Sequence, residues 1–231
     1  MAISAIIAAL VLVVFASAQA PDERTPAGPV GLVFPVRRGP LSLVEVEEFT
    51  RKLPDGTSST ETRKSKIQRD ALGRLRIEWV GAGPSGESLH VIQIVDPAAG
   101  SMALLDDRTK IATRVITPKS FFGPGLPGVG EALPAGNWKA TTENLGKRMI
   151  EGVEFEGTRT TETSDDHPAL IAVEERWYSK DLGLIGMAEA SRTNRKHSAR
   201  IQELQRREPD PSLFAIPSDY TVRDFDIGAH R

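Results

Sequence analysis

Strict alternation in Leu75-Arg76-Ile77-Glu78-Trp79 places Leu75, Ile77 and Trp79 on one face of a strand and Arg76 and Glu78 on the other. That is the signature of a half-buried strand, and the rest of the chain repeats it. Residues 65–69, 89–95, 101–105 and 111–116 have strand composition, and residues 43–49 alternate in part. The connections Asp70-Ala71-Leu72-Gly73-Arg74 and Asp96-Pro97-Ala98-Ala99-Gly100 pair an Asp, which can bond its own backbone, with a Gly that accepts positive φ. Each predicts a hairpin, and Asp107-Arg108-Thr109-Lys110 turns the chain again. The second half follows the same grammar at 153–161, 171–178, 184–188 and 199–204, with a polar turn at 192–196. Turns about every ten residues mean an antiparallel meander rather than alternating βαβ units. Near the end, Asp210 is placed to cap a single helical turn with Pro211 at its first position. No amphipathic helix of ten or more residues is apparent after residue 20, so the predicted fold is mainly β, a curved antiparallel meander sheet with few short helices.

Three stretches stand outside that pattern. Residues 1–20 carry no charged side chain, run apolar from Ala5 to Phe15 and end in Ala16-Ser17-Ala18-Gln19-Ala20. The small side chains of Ala18 and Ala20 match a signal-peptidase site, and the apolar run is shorter than the roughly 20 residues a spanning helix needs. A cleavable leader and an exported protein, periplasmic or extracellular, are therefore expected. Residues 21–40 read as an irregular lead-in to a single antiparallel β domain over 41–231. Inside that domain, residues 118–136 hold four prolines and five glycines together with apolar Phe121, Phe122, Leu126, Val129 and Leu133. A solvated linker has little use for adjacent Phe residues, so a lid-like segment lying on the sheet is expected.

The chemistry available to the chain is narrow. Among 231 residues there is no cysteine, which excludes disulfides, thiolate metal sites and a cysteine nucleophile. A formal net charge of −2 gives no footprint for nucleic acid. Gly81-Ala82-Gly83-Pro84-Ser85-Gly86 spells a dinucleotide fingerprint, yet it leads into another strand, and Pro84 removes a backbone donor. It reads as a hairpin tip. The four histidines, His90, His167, His197 and His230, are widely spaced, and Asp165-Asp166-His167 reads as a solvated turn, so no metal and no cofactor are expected. The pairs Glu47-Glu48, Asp106-Asp107 and Glu174-Glu175 point to opposite faces of a strand and share no site. A hydrolase would need His167 or His197 beside a carboxylate in a cleft, and no nucleophile motif accompanies either. The basic runs Arg63-Lys64-Ser65-Lys66 with Arg69, and 192–200 with Arg206-Arg207, read as solvated strand faces with cross-strand ion pairs, with weak attraction to anionic headgroups as the functional alternative.

Several segments resemble a group of uncharacterised secreted bacterial proteins. They are residues 69–74, 96–100, Leu145-Gly146-Lys147-Arg148-Met149-Ile150-Glu151-Gly152-Val153, Gly157-Thr158-Arg159, Glu175-Arg176-Trp177-Tyr178-Ser179 and residues 208–214. More distantly, the D-x-x-G-R hairpin, the I-x-G-V strand entry and the closing Phe214-Ala215-Ile216-Pro217-Ser218-Asp219-Tyr220 look like periplasmic lipoprotein carrier and sorting proteins of the LolA type. That resemblance implies an unclosed half-barrel whose concave apolar face takes up acyl chains. Carriers of this type cover the concave face with helices; none is expected here, and residues 118–136 are the candidate replacement.

These readings converge on an exported, non-enzymatic protein that binds an apolar or lipid-like ligand, with Leu75, Ile77, Trp79, Val91, Met102 and Leu104 lining the site and Phe121 and Phe122 closing over it. An acyl chain needs apolar area and exclusion of water rather than directional groups. The alternative is an envelope interaction or sensor module whose sheet is a scaffold for protein contacts. A monomer is expected in either case.

Overall fold

The computed structural model describes residues 39–82, 88–116 and 137–226. The expected leader, nearly all of the lead-in, most of the glycine string and the Pro/Gly-rich segment with Phe121 and Phe122 lie outside the described residues. The first meander consists of β1 (Leu41–Lys52), β2 (Ser58–Arg69), β3 (Leu75–Ala82), β4 (Ser88–Asp96), β5 (Ser101–Asp106) and β6 (Ile111–Ile116). The second consists of β7 (Trp138–Ile150), β8 (Val153–Ser164), β9 (Ile171–Ser179), β10 (Leu184–Arg192) and β11 (Arg195–Gln205), and β12 (Thr221–Asp226) follows. The meanders join where β1 pairs antiparallel with β11, and β12 then adds to β6 in parallel. The result is one twelve-stranded sheet ordered β12-β6-β5-β4-β3-β2-β1-β11-β10-β9-β8-β7, a curved and unclosed half-barrel.

The local chemistry sets the register. In the β2–β3 hairpin, Asp70 Oδ1 accepts from the backbone N–H of Leu72 at 3.0 Å and of Arg74 at 2.8 Å, and Gly73 sits at φ 83°. Arg69 then pairs with Leu75, Ile67 with Ile77 and Ser65 with Trp79. Between β7 and β8 two residues suffice, Glu151 at φ 49° and Gly152 at φ 76°, both in the left-handed region that a tight hairpin with native twist requires. Ser88 and Leu89 pair back onto Ala82 and Gly81, so the glycine string joins antiparallel strands and not a strand to a helix.

The strands β4 and β5 carry apolar residues on both faces. On one side Ile92, Ile94, Ala103, Leu105 and Ala112 form a cluster against which Ile216 and Tyr220 pack. The chain reaches them after a single 3₁₀ turn, Pro211–Phe214, capped by the Asp210 side chain accepting from Ser212 N–H at 2.9 Å. This return segment is fastened along its length. The Glu208 carboxylate accepts from Ala71 N–H at 3.2 Å, the Arg74 guanidinium lies 5.0 Å above the Phe214 ring, and Tyr220 Oη donates to Asp107 Oδ1 at 2.9 Å. On the other side Leu41, Leu43, Ile67, Leu75, Ile77, Val95 and Met102 belong to the main core, which continues through Leu182 and Leu184 to Phe155 and Trp177 of the second meander.

Three features differ from the sequence reading. β7 and β12 are strands that the apolar period did not show, because β7 is exposed on nearly every residue and β12 is an outermost strand of charged and exposed side chains. The meander is also interrupted by the β1–β11 junction and by one parallel pairing. Finally, the turn at 192–196 narrows to Thr193-Asn194, with Arg192 and Arg195 paired in the strands.

Candidate ligand site

Residues directly opposite one another in paired strands project to the same face, so the register gives this face row by row. Leu75, Val95 and Met102 form one row across β3, β4 and β5; Ile77, Gln93 and Leu104 form the next; Trp79, Val91 and Asp106 form the third. All six sheet residues predicted to line a ligand therefore share one face in three adjacent strands. Leu75, Ile77 and Met102 are buried in the main core, whereas Trp79, Val91 and Leu104 are half-buried. Phe121 and Phe122 fall outside the described residues.

Extending the same rows across β2 and β1 leads into buried polar side chains. Beyond Trp79 come Ser65, then Glu45, then Ile201 of β11. One row further on, Arg63 faces Glu47, which faces Ala199. Glu45 is 1 % exposed, Glu47 0 % and Ser65 1 %. Arg63 Nε donates to Glu47 Oε2 at 2.7 Å, and its Nη2 makes a second, shorter bond to the same oxygen. On the other carboxylate oxygen, Oε1, His197 Nε2 stands at 3.3 Å. Phe49 stacks on the His197 ring with centroids 4.2 Å apart, and the Arg63 guanidinium lies 5.5 Å from the Phe49 centroid. Both charges of the pair are thus hydrogen-bonded, as burial of an ion pair requires. The Ser65 hydroxyl has no hydrogen-bond partner among the described residues. At the far end of the face Arg51, Arg195 and Arg192 stand directly across from one another on β1, β11 and β10. Burial of Arg192 pushes its guanidinium below the usual arginine range, with the Glu162 charge acting against the shift.

The reading of the first basic run as a solvated face needs correction. Lys64 and Lys66 are exposed, but Arg63 is buried on Glu47, and Arg69 is buried with its guanidinium donating to the carbonyls of Gly39 at 3.0 Å and Leu182 at 2.8 Å. Period-two parity held the signal. Arg63, Ser65, Ile67 and Arg69 share one face while Lys64 and Lys66 share the other, and only the first set includes an apolar residue. Glu47 and Glu48 do point to opposite sides, with Glu48 bonded to exposed Arg200 at 3.2 Å.

The histidines divide. His197 has a carboxylate neighbour, Glu47, but that carboxylate is already occupied by Arg63. His167 stacks on Trp138 in an exposed turn, where Asp165 pairs with Lys139 at 2.7 Å and Asp166 accepts from Asn137 N–H at 2.8 Å. Among the described residues no group of three or more His, Asp and Glu side chains could hold a metal.

No family model matches the chain, and no curated protein matches it. Solved structures do. An uncharacterised conserved protein of Thermus thermophilus aligns at 9 % identity over 79 % of this chain and 90 % of that one, with a TM-score of 0.42. A LolA superfamily protein of Nitrosomonas europaea aligns at 7 % identity over 79 % and 92 %, with a TM-score of 0.36. The Pseudomonas aeruginosa MucA/MucB complex aligns at 14 % identity over 79 % of this chain and 58 % of the matched one, with a TM-score of 0.40. The chain is distantly similar to proteins of LolA type, at low identity throughout.

Proposed function

We propose that the protein is an exported, non-enzymatic binding protein that holds an apolar or lipid-like ligand on the face shared by Leu75, Ile77, Trp79, Val91, Met102 and Leu104. The carrying observation is that these six residues, from three neighbouring strands, share one face on which Gln93 stands between Ile77 and Leu104, and that Trp79, Val91 and Leu104 among them are only half-buried. Covering them with a hydrocarbon chain would gain roughly 25 cal/mol for each Å² of apolar surface removed from water. The leader composition supports export. Organic extraction of the purified protein followed by mass spectrometry tests the reading: a co-extracting amphiphile at near-stoichiometric amount is expected. Repeated absence of bound lipid, with no uptake of added lipid, refutes it.

A second reading, an envelope interaction module, has one observation in its favour. β7 lies at an end of the sheet, runs for thirteen residues and is exposed along almost its whole length. Long edge strands are the usual site of strand addition by a partner.

A further inference from the structure

Taking the binding reading as its base, we propose that the ligand is an amphiphile with an acidic head group, a carboxylate or a phosphate, and that Arg223 on β12 holds this head. The register carries the ligand face past β5 to the end of the sheet. Leu104 faces Thr113 of β6, which faces Arg223; in the adjacent row Met102 faces Val115, which faces Phe225. The third row runs instead from Val91 into Asp106. A hydrocarbon chain lying over Trp79 and Val91 therefore continues onto Leu104, the diagonal neighbour of Val91, and from there across Thr113 to Arg223. From β3 to β12 this path crosses four strand spacings, roughly 19 Å at about 4.8 Å each.

Three observations point to an acid at that end. The path is open: Trp79, Val91, Leu104 and Thr113 are half-buried and Arg223 is exposed, so a ligand reaches them without displacing the core. Arg223 is also uncommitted, with no hydrogen bond or ion pair among the described residues, whereas on the opposite face of the same two strands Arg114 is paired with Asp224 at 2.7 Å. The third observation is the sign of the charge along the path. Gln93, Leu104 and Thr113 are neutral, and Asp106 in the neighbouring row has its Oδ1 occupied by the backbone N–H groups of Arg108 at 3.0 Å and Thr109 at 3.2 Å. A guanidinium offers two parallel donors that match a carboxylate or a phosphate, and its apolar stem can lie along the tail while the charge stays in water. An ammonium head in the same place would meet a charge of its own sign.

Oleate, oleyl phosphate, monoolein and oleylamine share one hydrocarbon chain and differ in the head, and each is titrated into the mature protein below its critical aggregation concentration and followed by calorimetry. At low ionic strength the two acids are expected to bind at least about threefold more tightly than monoolein, with oleylamine the weakest. The tighter of the two acids identifies the head as carboxylate or phosphate. Arg223→Gln is expected to remove the preference for acids at an unchanged melting temperature, because the side chain is exposed and makes no bond among the described residues, and Arg223→Lys is expected to keep part of it. Lys66→Gln deletes the same charge from an exposed position on the other face of the sheet and is expected to leave all four affinities as they are. Equal binding of the four probes, or a preference for oleylamine, overturns the head-group assignment and leaves the apolar residues as the binding feature. A preference for acids that survives Arg223→Gln, or that Lys66→Gln reduces equally, also overturns it. No binding of any probe refutes the underlying binding reading instead.

Discussion

The buried pair Glu47–Arg63 permits a quantitative test of what the polar rows on this face cost and what they secure. Replacing Arg63 by Met keeps most of the side-chain volume and the apolar stem but leaves the Glu47 carboxylate, 0 % exposed, with only His197 at 3.3 Å. Removing one partner of a buried ion pair costs about 3–5 kcal/mol, and the residual His197 contact places this case near about 3 kcal/mol. With a denaturant slope of about 2.5 kcal/mol per molar urea for a domain of this size, the midpoint should fall by about 1.2 M at unchanged slope. Glu47→Leu alone should cost a similar amount by removing the carboxylate oxygen that accepts two bonds from Arg63. The double variant Arg63→Met/Glu47→Leu removes both charges, and such exchanges are often neutral or stabilising. It should therefore lie within about 1 kcal/mol of wild type, and the cycle should be non-additive by at least about 2 kcal/mol. Equilibrium urea unfolding followed by tryptophan fluorescence reads all four proteins. Additivity within about 0.5 kcal/mol would show that the two residues are not a coupled buried pair, and the reasoning would fail.

Other perturbations probe other parts of the sheet. Gly186→Ala would set a methyl group against the fully buried Phe155 ring, and Gly157→Ala would place one 2.8 Å from the Trp177 ring; each should cost about 1–3 kcal/mol by overpacking, measurable as a lowered thermal midpoint. Asp70→Ala removes the acceptor of two backbone bonds and the ionic partner of Arg74 at 2.6 Å, so it should cost about 2–3 kcal/mol and raise amide exchange through the β2–β3 hairpin before the rest of the sheet. Hydrogen bonds from Lys110 and Tyr220, together with the Lys110 charge, hold the Asp107 carboxyl down to about 2, against an ordinary value of 3.8. A depressed carboxyl contributes stability that is complete above the ordinary value and is lost as pH falls toward the folded one. The difference in urea midpoint between wild type and Asp107→Asn should thus be constant above about pH 5 and shrink between about pH 4 and pH 2; a constant difference across that range would sink the assignment.

How much could be seen in the sequence depended on what each strand buries. Strands β3 to β6 pack at least one face, so Leu75, Ile77 and Trp79 announced both a strand and its orientation, and the Asp and Gly of the two hairpin turns set the pairing. The six residues consequently fell on one face as read. β7 offers little of that signal: only Leu145 and Ile150 pack, partly buried, against the main core, and their spacing of five leaves no period of two in the side chains. The polar rows were missed for a different reason. Glu47, Arg63 and His197 are 16 and 150 residues apart in the pairs they form, and only the junction of β1 with both β2 and β11 brings them together. Seen locally, each is an ordinary polar residue on an alternating strand.

That junction also explains why charges occupy the middle of a face that is otherwise apolar. β1 is the strand on which the two meanders meet, and a one-residue slip in either pairing would turn every side chain of one meander to the wrong side. Apolar residues do little to forbid such a slip where β1 is buried on both faces, with Leu41 and Leu43 on one and Val46 on the other. A buried carboxylate that must find Arg63 on one neighbour and His197 on the other penalises it heavily, because every alternative register strands a charge away from water. A function in register accounts for Glu47, Arg63 and His197. It does not account for Ser65, whose hydroxyl contributes no bond to either pairing. The polar rows therefore separate into a lock between the meanders and Ser65, which takes no part in it.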